Sequence, residues 1–319
     1  MTRAGPVTAF APGGVGNVGP GLDILGLAVD GAGDAVRAEW TRDGGIVLRD
    51  PGHPRLPRDA ARHTSALAAR AVLAAAGERL AGGRGIALSV RKGLPLSGGQ
   101  GGSAASAVAG AVAVNALLGA PLDQHALLDA CLLAEETVAG RHLDNIAPSL
   151  LGGIVLIRCM QPMDIVRLPV PAELVVVLVR PEQQMRTREA RAVLPATLPL
   201  ETALYQAAQV GALVAALALG DYELLGRAID DRIAEPARTG LLPGFAEAKA
   251  AALAAGAFGS SISGSGPTAF ALTRGRAAGD RVAAAMTAAY AAAGLQSDAR
   301  VAPVDLVGAR LIESTGGSG

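Results

Sequence analysis

The chain has 319 residues and a mass of 31.8 kDa, enough for two packed layers with a core in each, so two domains are expected. Its 28 basic and 28 acidic residues cancel, which excludes a global field that would draw in nucleic acid or an anionic membrane. Two cysteines, Cys131 and Cys159, lie far apart inside apolar segments, which excludes a disulfide framework or a cysteine metal motif and points to a reducing cytoplasm.

The first ten residues, MTRAGPVTAF, lack the apolar segment of a secretory signal. Short β-branched runs at 7–11, 34–40, 85–90 and 152–158, spaced by turn residues, predict strands. Between them 64–77, 103–119 and 122–140 predict helices, each ending at a glycine that accepts the left-handed cap. The proline-bearing stretch 161–173 is the expected boundary between an N-terminal domain (1–160) and a C-terminal domain (161–319). Beyond it a buried strand is predicted at 173–181, helices near 188–194, 202–219, 222–233 and 244–255, and a strand–turn–strand unit at 257–272. A helix near 279–293 and strands near 300–312 complete an α+β order, and the tail STGGSG is expected to be disordered. Asn115, Gln206 and Gln209 interrupt the longest apolar stretches, so a soluble protein is expected.

Three glycine clusters carry the chemistry. LPLSGGQGGSAAS (94–106) puts bare backbone directly before an alanine-rich helix. Unpaired N–H groups at a helix start, with a macrodipole charge of about +0.5, form a cradle for phosphate. Pro95 ends the preceding strand and Ser103 places a hydroxyl at the helix start, in position to ligate a metal on phosphate. No charge follows from 103 to 119, so this helix is expected to be buried and rigid. The absence of G-x-x-x-x-G-K-[ST] excludes a standard P-loop. GVGNVG (14–19) spells the dinucleotide fingerprint, but Pro20, Gly21 and Gly26 follow where that fold needs a continuous helix. GQGGSA (99–104) fits the looser G-x-G-x-x-A and leaves nicotinamide binding as an alternative. SGSGPT (263–268) reads alone as a tight strand-to-strand turn.

In order and together these clusters resemble those of the GHMP kinases: PGGVGNVGPGLD at 12–23, PLSGGQGGSAA at 95–105 and SISGSGPT at 261–268. Three further segments, HLDNIAPSLLGG (142–153), RTREARAVLP (186–195) and DRIAEPARTGLLPGF (231–245), resemble the homoserine kinase branch of that family. The resemblance implies a two-domain α+β GHMP kinase fold, with an N-terminal domain like ribosomal protein S5 domain 2, a ferredoxin-like C-terminal domain, and ATP between them. It also implies a left-handed βαβ crossover, against the general right-handed rule. The implied reaction is ATP-dependent phosphorylation of the side-chain hydroxyl of L-homoserine to O-phospho-L-homoserine, in threonine biosynthesis; the cysteine usage adds a cytoplasmic location, and a homodimer is one assembly the sequence leaves open. The alternatives are a GHMP-type kinase for another small hydroxylated metabolite, or a catalytically weakened nucleotide-binding relative.

Carried over residue by residue, the resemblance assigns ATP to Pro95, Leu96, Ser97, Gly98, Gly99, Gln100, Gly101, Gly102, Ser103, Ala104 and Ala105. The first serine of the family's usual pair is replaced by Gly102, and phosphate binding is expected to survive because backbone N–H groups carry it. His63 stands where the family has an asparagine near adenine, although with His53 and His125 it lacks ligand spacing and reads as a loop or surface histidine. Glu135 and Ser103 match the family's Mg²⁺ ligands, with Glu136, one position on, as the solvated alternative. A zwitterionic amino alcohol needs arginine forks for its carboxylate and carboxylates for its ammonium. Arg191 and Arg238 match the first role, with Thr187 nearby; Asp23, His142 and Asp144 match the second, and Gly264 borders the substrate. Arg188 and Arg232 are near neighbours of the favoured arginines. Asn17 and Asn145 are expected to orient the hydroxyl, with no side-chain base, because an amide accepts no proton at neutral pH.

Overall fold

The computed structural model describes residues 5–78, 80, 84–138 and 140–313; the tail assigned to disorder lies outside them. Its first layer is a seven-stranded sheet. β1 (Val7–Gly16) and the 17-residue β2 (Leu25–Thr41) pair antiparallel, with a register shift between Pro12 and Gly14. Beyond β2 lie β4 (Gly85–Arg91), antiparallel to it, and β3 (Gly45–Asp50), parallel to β4. α1 (Thr64–Ala75) connects β3 to β4, and this is the one parallel pair among the described strands. The N-terminal part of β2 also pairs with β5 (Ile154–Met160), which forms a hairpin with β6 (Met163–Leu168).

The helices of the N-terminal half are α2 (Gly102–Leu117), α3 (Gln124–Val138) and the short α4 (Ile146–Leu151). α2 is buried at 12 of its 16 positions and, with α1 and α3, forms one core against β1, β2 and β4. Its small side chains allow the close approach: a Cβ on Gly110 would stand 2.7 Å from the Ser65 carbonyl oxygen of α1. Asn115, the polar residue within this apolar helix, is satisfied twice by Leu122, donating to its carbonyl at 3.0 Å and accepting from its N–H at 3.1 Å.

The second layer contains β7 (Leu174–Pro181), α5 (Thr187–Ala192), α6 (Leu200–Leu219), α7 (Tyr222–Ala228), α8 (Ala234–Thr239) and α9 (Phe245–Ala254). β8 (Gly259–Ile262), β9 (Ala269–Arg274), α10 (Arg276–Ala292) and β10 (Ser297–Pro303) follow. The sheet order β10-β7-β9-β8, all antiparallel, gives the 4-1-3-2 arrangement of a split βαβ unit, with helices α5 to α9 inserted after its first strand. Alternate residues of β7 face opposite cores: Leu174, Val176 and Leu178 join the apolar layer shared with β1 and β2, whereas Val177 and Val179 pack under α9 and α10.

The expected boundary at 160/161 falls in the β5–β6 hairpin, so the first sheet runs on to Leu168. It also recovers β11 (Arg310–Ile312), which returns to pair with β1. The prolines of 161–173 mark a hairpin turn and then the exit from β6. α6 is long and apolar enough to cross a membrane by length and composition; 22% of that stretch is buried inside the protein, and Gln206, Leu213, Ala216 and Leu217 are its buried residues.

Candidate active site

The glycine loops meet where the two layers join. They line a cleft of about 890 Å³ whose wall includes Pro95 to Gly99, Gly101 to Ala104, Glu135, His142, Asp144, Asn145, Thr187, Arg191, Arg238, Gly264 and Asn17. Gly101 enters α2 with φ +69°, and the first N–H groups of the helix are left for a ligand. Gly99, at φ +73°, lets the loop touch the second domain: an added Cβ would lie 2.6 Å from the Ser263 carbonyl oxygen and 2.7 Å from that of Gly266. The Ser263 hydroxyl donates to the Gly99 carbonyl at 2.7 Å, locking the loop to the 263–268 turn.

Ser103, in the first turn of α2, donates its hydroxyl to Oε2 of Glu135 at 2.8 Å. Burial raises the Glu135 pKa, opposed by the Ser103 hydrogen bond and the charge of Lys92. Glu136 instead points outward and pairs with Arg141. Among the described residues no three His, Cys, Asp or Glu side chains gather as a metal cluster. A desolvated carboxylate beside a hydroxyl is a hard oxygen donor pair of the kind a divalent ion such as Mg²⁺ takes.

The other end of the cleft is built from charged side chains. Asp23 (φ +63°) receives both Nη atoms of Arg191, Nη1 at 3.0 Å, and Nδ1 of His142 stands 3.4 Å from Asp23 and 3.1 Å from Arg191 Nη2. Burial lowers the His142 pKa, opposed by Asp23. Arg238 is 2% exposed; it donates Nε to the Ala190 carbonyl at 3.1 Å and Nη1 to that of Gly264 at 2.9 Å. Burial first and Arg191 second pull its pKa down. Its position is set from below: Asp231 caps α8 by accepting from the N–H groups of Ile233, Ala234 and Glu235, and Gln206 of α6 donates to both Asp231 and the Pro20 carbonyl.

Asp144 and Asn145 join the two ends. A Cβ on Gly16 would stand 2.2 Å from Asp144 Oδ2, and one on Gly101 would stand 2.9 Å from Asn145 Oδ1, so these glycines leave the room both side chains need. Asn145 donates to Asp144 at 3.1 Å. The Asp144 carboxyl is pushed up to about 7, by burial first and then by the charge of Asp23. Asn17 (φ +56°) donates to the Gly264 carbonyl at 3.0 Å and accepts from the Asp23 N–H at 2.8 Å, tying the N-terminal loop to the second domain.

Four expected ligand residues stand differently. His63 is neither a surface residue nor on the cleft wall: it is 2% exposed, with its ring nitrogens 3.2 Å from the Pro51 carbonyl oxygen and 2.8 Å from the Ser65 hydroxyl. Burial lowers its pKa. Gln100 turns away to Thr268 Oγ1 at 3.3 Å, and Ala105 is fully buried in the core of α2. Asp23 stands off the cleft wall, behind its partners Arg191 and His142, which line it. Sequence reasoning missed Lys92, which lines the cleft beside Gly102 and Ser106. Its signal was compositional: apart from Lys249 it is the only lysine in a chain that otherwise uses arginine.

Residues 64–153 match the GHMP kinases N terminal domain and residues 203–292 the GHMP kinases C terminal domain, and the chain belongs to the GHMP kinase family, with its two-domain fold. Within the family it is similar to the homoserine kinase of Chlorobaculum tepidum, at 41% identity over 97% of this chain and 99% of that protein. The homoserine kinase of Arabidopsis thaliana is 42% identical over 97% of this chain and 85% of its own length. The crystal structure of homoserine kinase from Cytophaga hutchinsonii superposes with a TM-score of 0.93, at 40% identity, covering 98% of this chain and 99% of that one. A galactokinase from Lactococcus lactis shares the fold alone, at 14% identity and a TM-score of 0.71.

Proposed function

We propose that the chain is an ATP-dependent homoserine kinase, acting in the cytoplasm on L-homoserine as one step of threonine biosynthesis. The observation that carries the reading is the shared cleft: the amide-lined loop and the Ser103–Glu135 pair lie on one wall, Arg191 and Arg238 on another, with Asn145 between. A sugar or mevalonate pocket would not need two arginines together with Asp23 and Asp144. Near-full-length identity of about 40% to the homoserine kinases of Chlorobaculum tepidum and Arabidopsis thaliana supports the same acceptor.

In this reading the N–H groups opening α2 hold the phosphates, while Arg238 and Arg191 bind the substrate carboxylate and Asp23, Asp144 and His142 surround its ammonium. Mg²⁺ would be held by Ser103 and Glu135 and supplies, when bound, neutralisation of phosphate charge. Asn145, with Asn17 behind it, orients the hydroxyl in line with the γ-phosphorus. The hydroxyl oxygen forms the new P–O bond as the β–γ bridge breaks, ADP leaves, and the proton passes to the transferred phosphate, so positioning and charge carry catalysis. A homodimer belongs to the same proposal; Leu200, Leu204 and Leu219, exposed along α6, support it, and sedimentation tests it. The decisive assay is coupled ADP release with homoserine, threonine, serine and mevalonate offered side by side. Homoserine is expected to lead by at least about tenfold in kcat/KM, and mevalonate turned over as fast as homoserine would overturn the reading.

A further inference from the structure

Beneath the phosphate-binding loop lies a buried acid that the mechanism above does not use. Asp34, on β2, is 0% exposed and does not line the cleft. Its Oδ1 accepts from the N–H groups of Gly93 at 3.1 Å and Leu94 at 3.3 Å, where the chain enters the loop. Its Oδ2 accepts from the Ser106 hydroxyl at 2.6 Å, one turn inside the helix by which the chain leaves it, and from the Lys92 ammonium. Lys92 donates further to the Gly102 carbonyl at 3.0 Å and to Ser106 Oγ at 3.1 Å. Together these contacts tie the chain on both sides of the loop mouth to one carboxylate.

The charges explain why an acid is needed there. An ammonium beside the N-terminus of a helix faces the positive end of the macrodipole. Left unpaired and 8% exposed, Lys92 would be driven outward. The Lys92 ammonium directs its three donors to three acceptors on different elements, the Asp34 carboxylate, the Gly102 carbonyl and the Ser106 hydroxyl.

We infer that Asp34 is a positioning residue for nucleotide binding: it fastens both ends of the phosphate-binding loop and holds the Lys92 ammonium over the first turn of α2, so that amides and cation converge on one phosphate group. The inference rests on the nucleotide reading above. Its test is calorimetric titration of ATP, and separately of adenosine, into the wild type and the variants Asp34→Asn, Lys92→Met, Ser106→Ala and the double variant Asp34→Asn/Lys92→Met. Asp34→Asn is expected to weaken ATP about tenfold or more while adenosine changes by less than about twofold, and the double variant to bind ATP no more weakly than the worse single one. Ser106→Ala, which keeps the carboxylate and both amides, is expected to weaken ATP about threefold and covers the case in which Asp34→Asn does not fold. Equal losses for ATP and adenosine, unchanged ATP affinity, or losses that multiply in the double variant would overturn the inference. A wild type that binds no ATP would instead remove the nucleotide reading beneath it.

Discussion

The two ends of the cleft are built on opposite principles. The phosphate end is backbone: a left-handed glycine at the mouth of a buried helix, locked by hydrogen bonds to a turn of the other domain. The acceptor end is side chains from separate segments, and there the groups that would clasp a zwitterion clasp each other, Arg191 on Asp23 with His142 alongside. A backbone cradle comes with folding and favours any phosphate. A side-chain cradle is specific, because a substrate carrying both charges replaces the internal pair without leaving either ion unpaired.

Glu135→Gln keeps an acceptor for Ser103 but removes the charge, and kcat is expected to fall about 100-fold or more in a coupled assay at saturating ATP, with little change in melting temperature. Arg238→Met removes a fully buried cation and is expected to cost about 2 to 5 kcal/mol, seen as a KM for homoserine raised about 30-fold or more. Arg191→Gln should cost less, because Arg191 is 30% exposed and its loss frees Asp23 for the ammonium.

Asp144 gives a pH test. Its pKa in the free protein is raised to about 7, so it ionises as pH rises through that value and gains attraction for the substrate ammonium. Hence kcat/KM for homoserine should rise between about pH 6 and 8 while kcat stays flat, and Asp144→Asn should flatten kcat/KM too. A limb in kcat near pH 7 that Asp144→Asn abolishes would make Asp144 a base. The smallest expected effect is on stability: Gly99→Ala forces a Cβ into a left-handed position against two carbonyls of the other domain, and should cost about 1 to 3 kcal/mol by denaturant titration.

The same contrast governs what the sequence could reveal. The glycine clusters, the uncharged run after Ser103 and the strands of the second layer were legible because local backbone needs fix local residue types. β3 and β6 escaped notice because they are short edge strands with exposed and half-buried positions, lacking a clean alternation. α8 lies wholly beyond the helix expected at 222–233, which overruns α7, because the start of α8 depends on Asp231, whose capping bonds look in sequence like any other charged residue. Glu135 could be preferred to Glu136 from the apolar face of α3, but no periodicity could show that Asn17 ties two domains together or that His63 turns inward. Asp34 and Lys92, 58 positions apart, become a pair only when β2 and β4 lie side by side.

The proposed function requires one cleft to hold nucleotide phosphate at a backbone cradle and an amino alcohol at a charged clamp, as separable sites. Calorimetric affinities for ATP and for L-homoserine, each measured with Lys92→Met and Arg238→Met, test it most directly. A crossed result is expected: Lys92→Met weakens ATP about tenfold and leaves homoserine within about twofold, and Arg238→Met does the reverse. Both ligands weakening together in either variant, or homoserine binding unchanged in Arg238→Met, would contradict it.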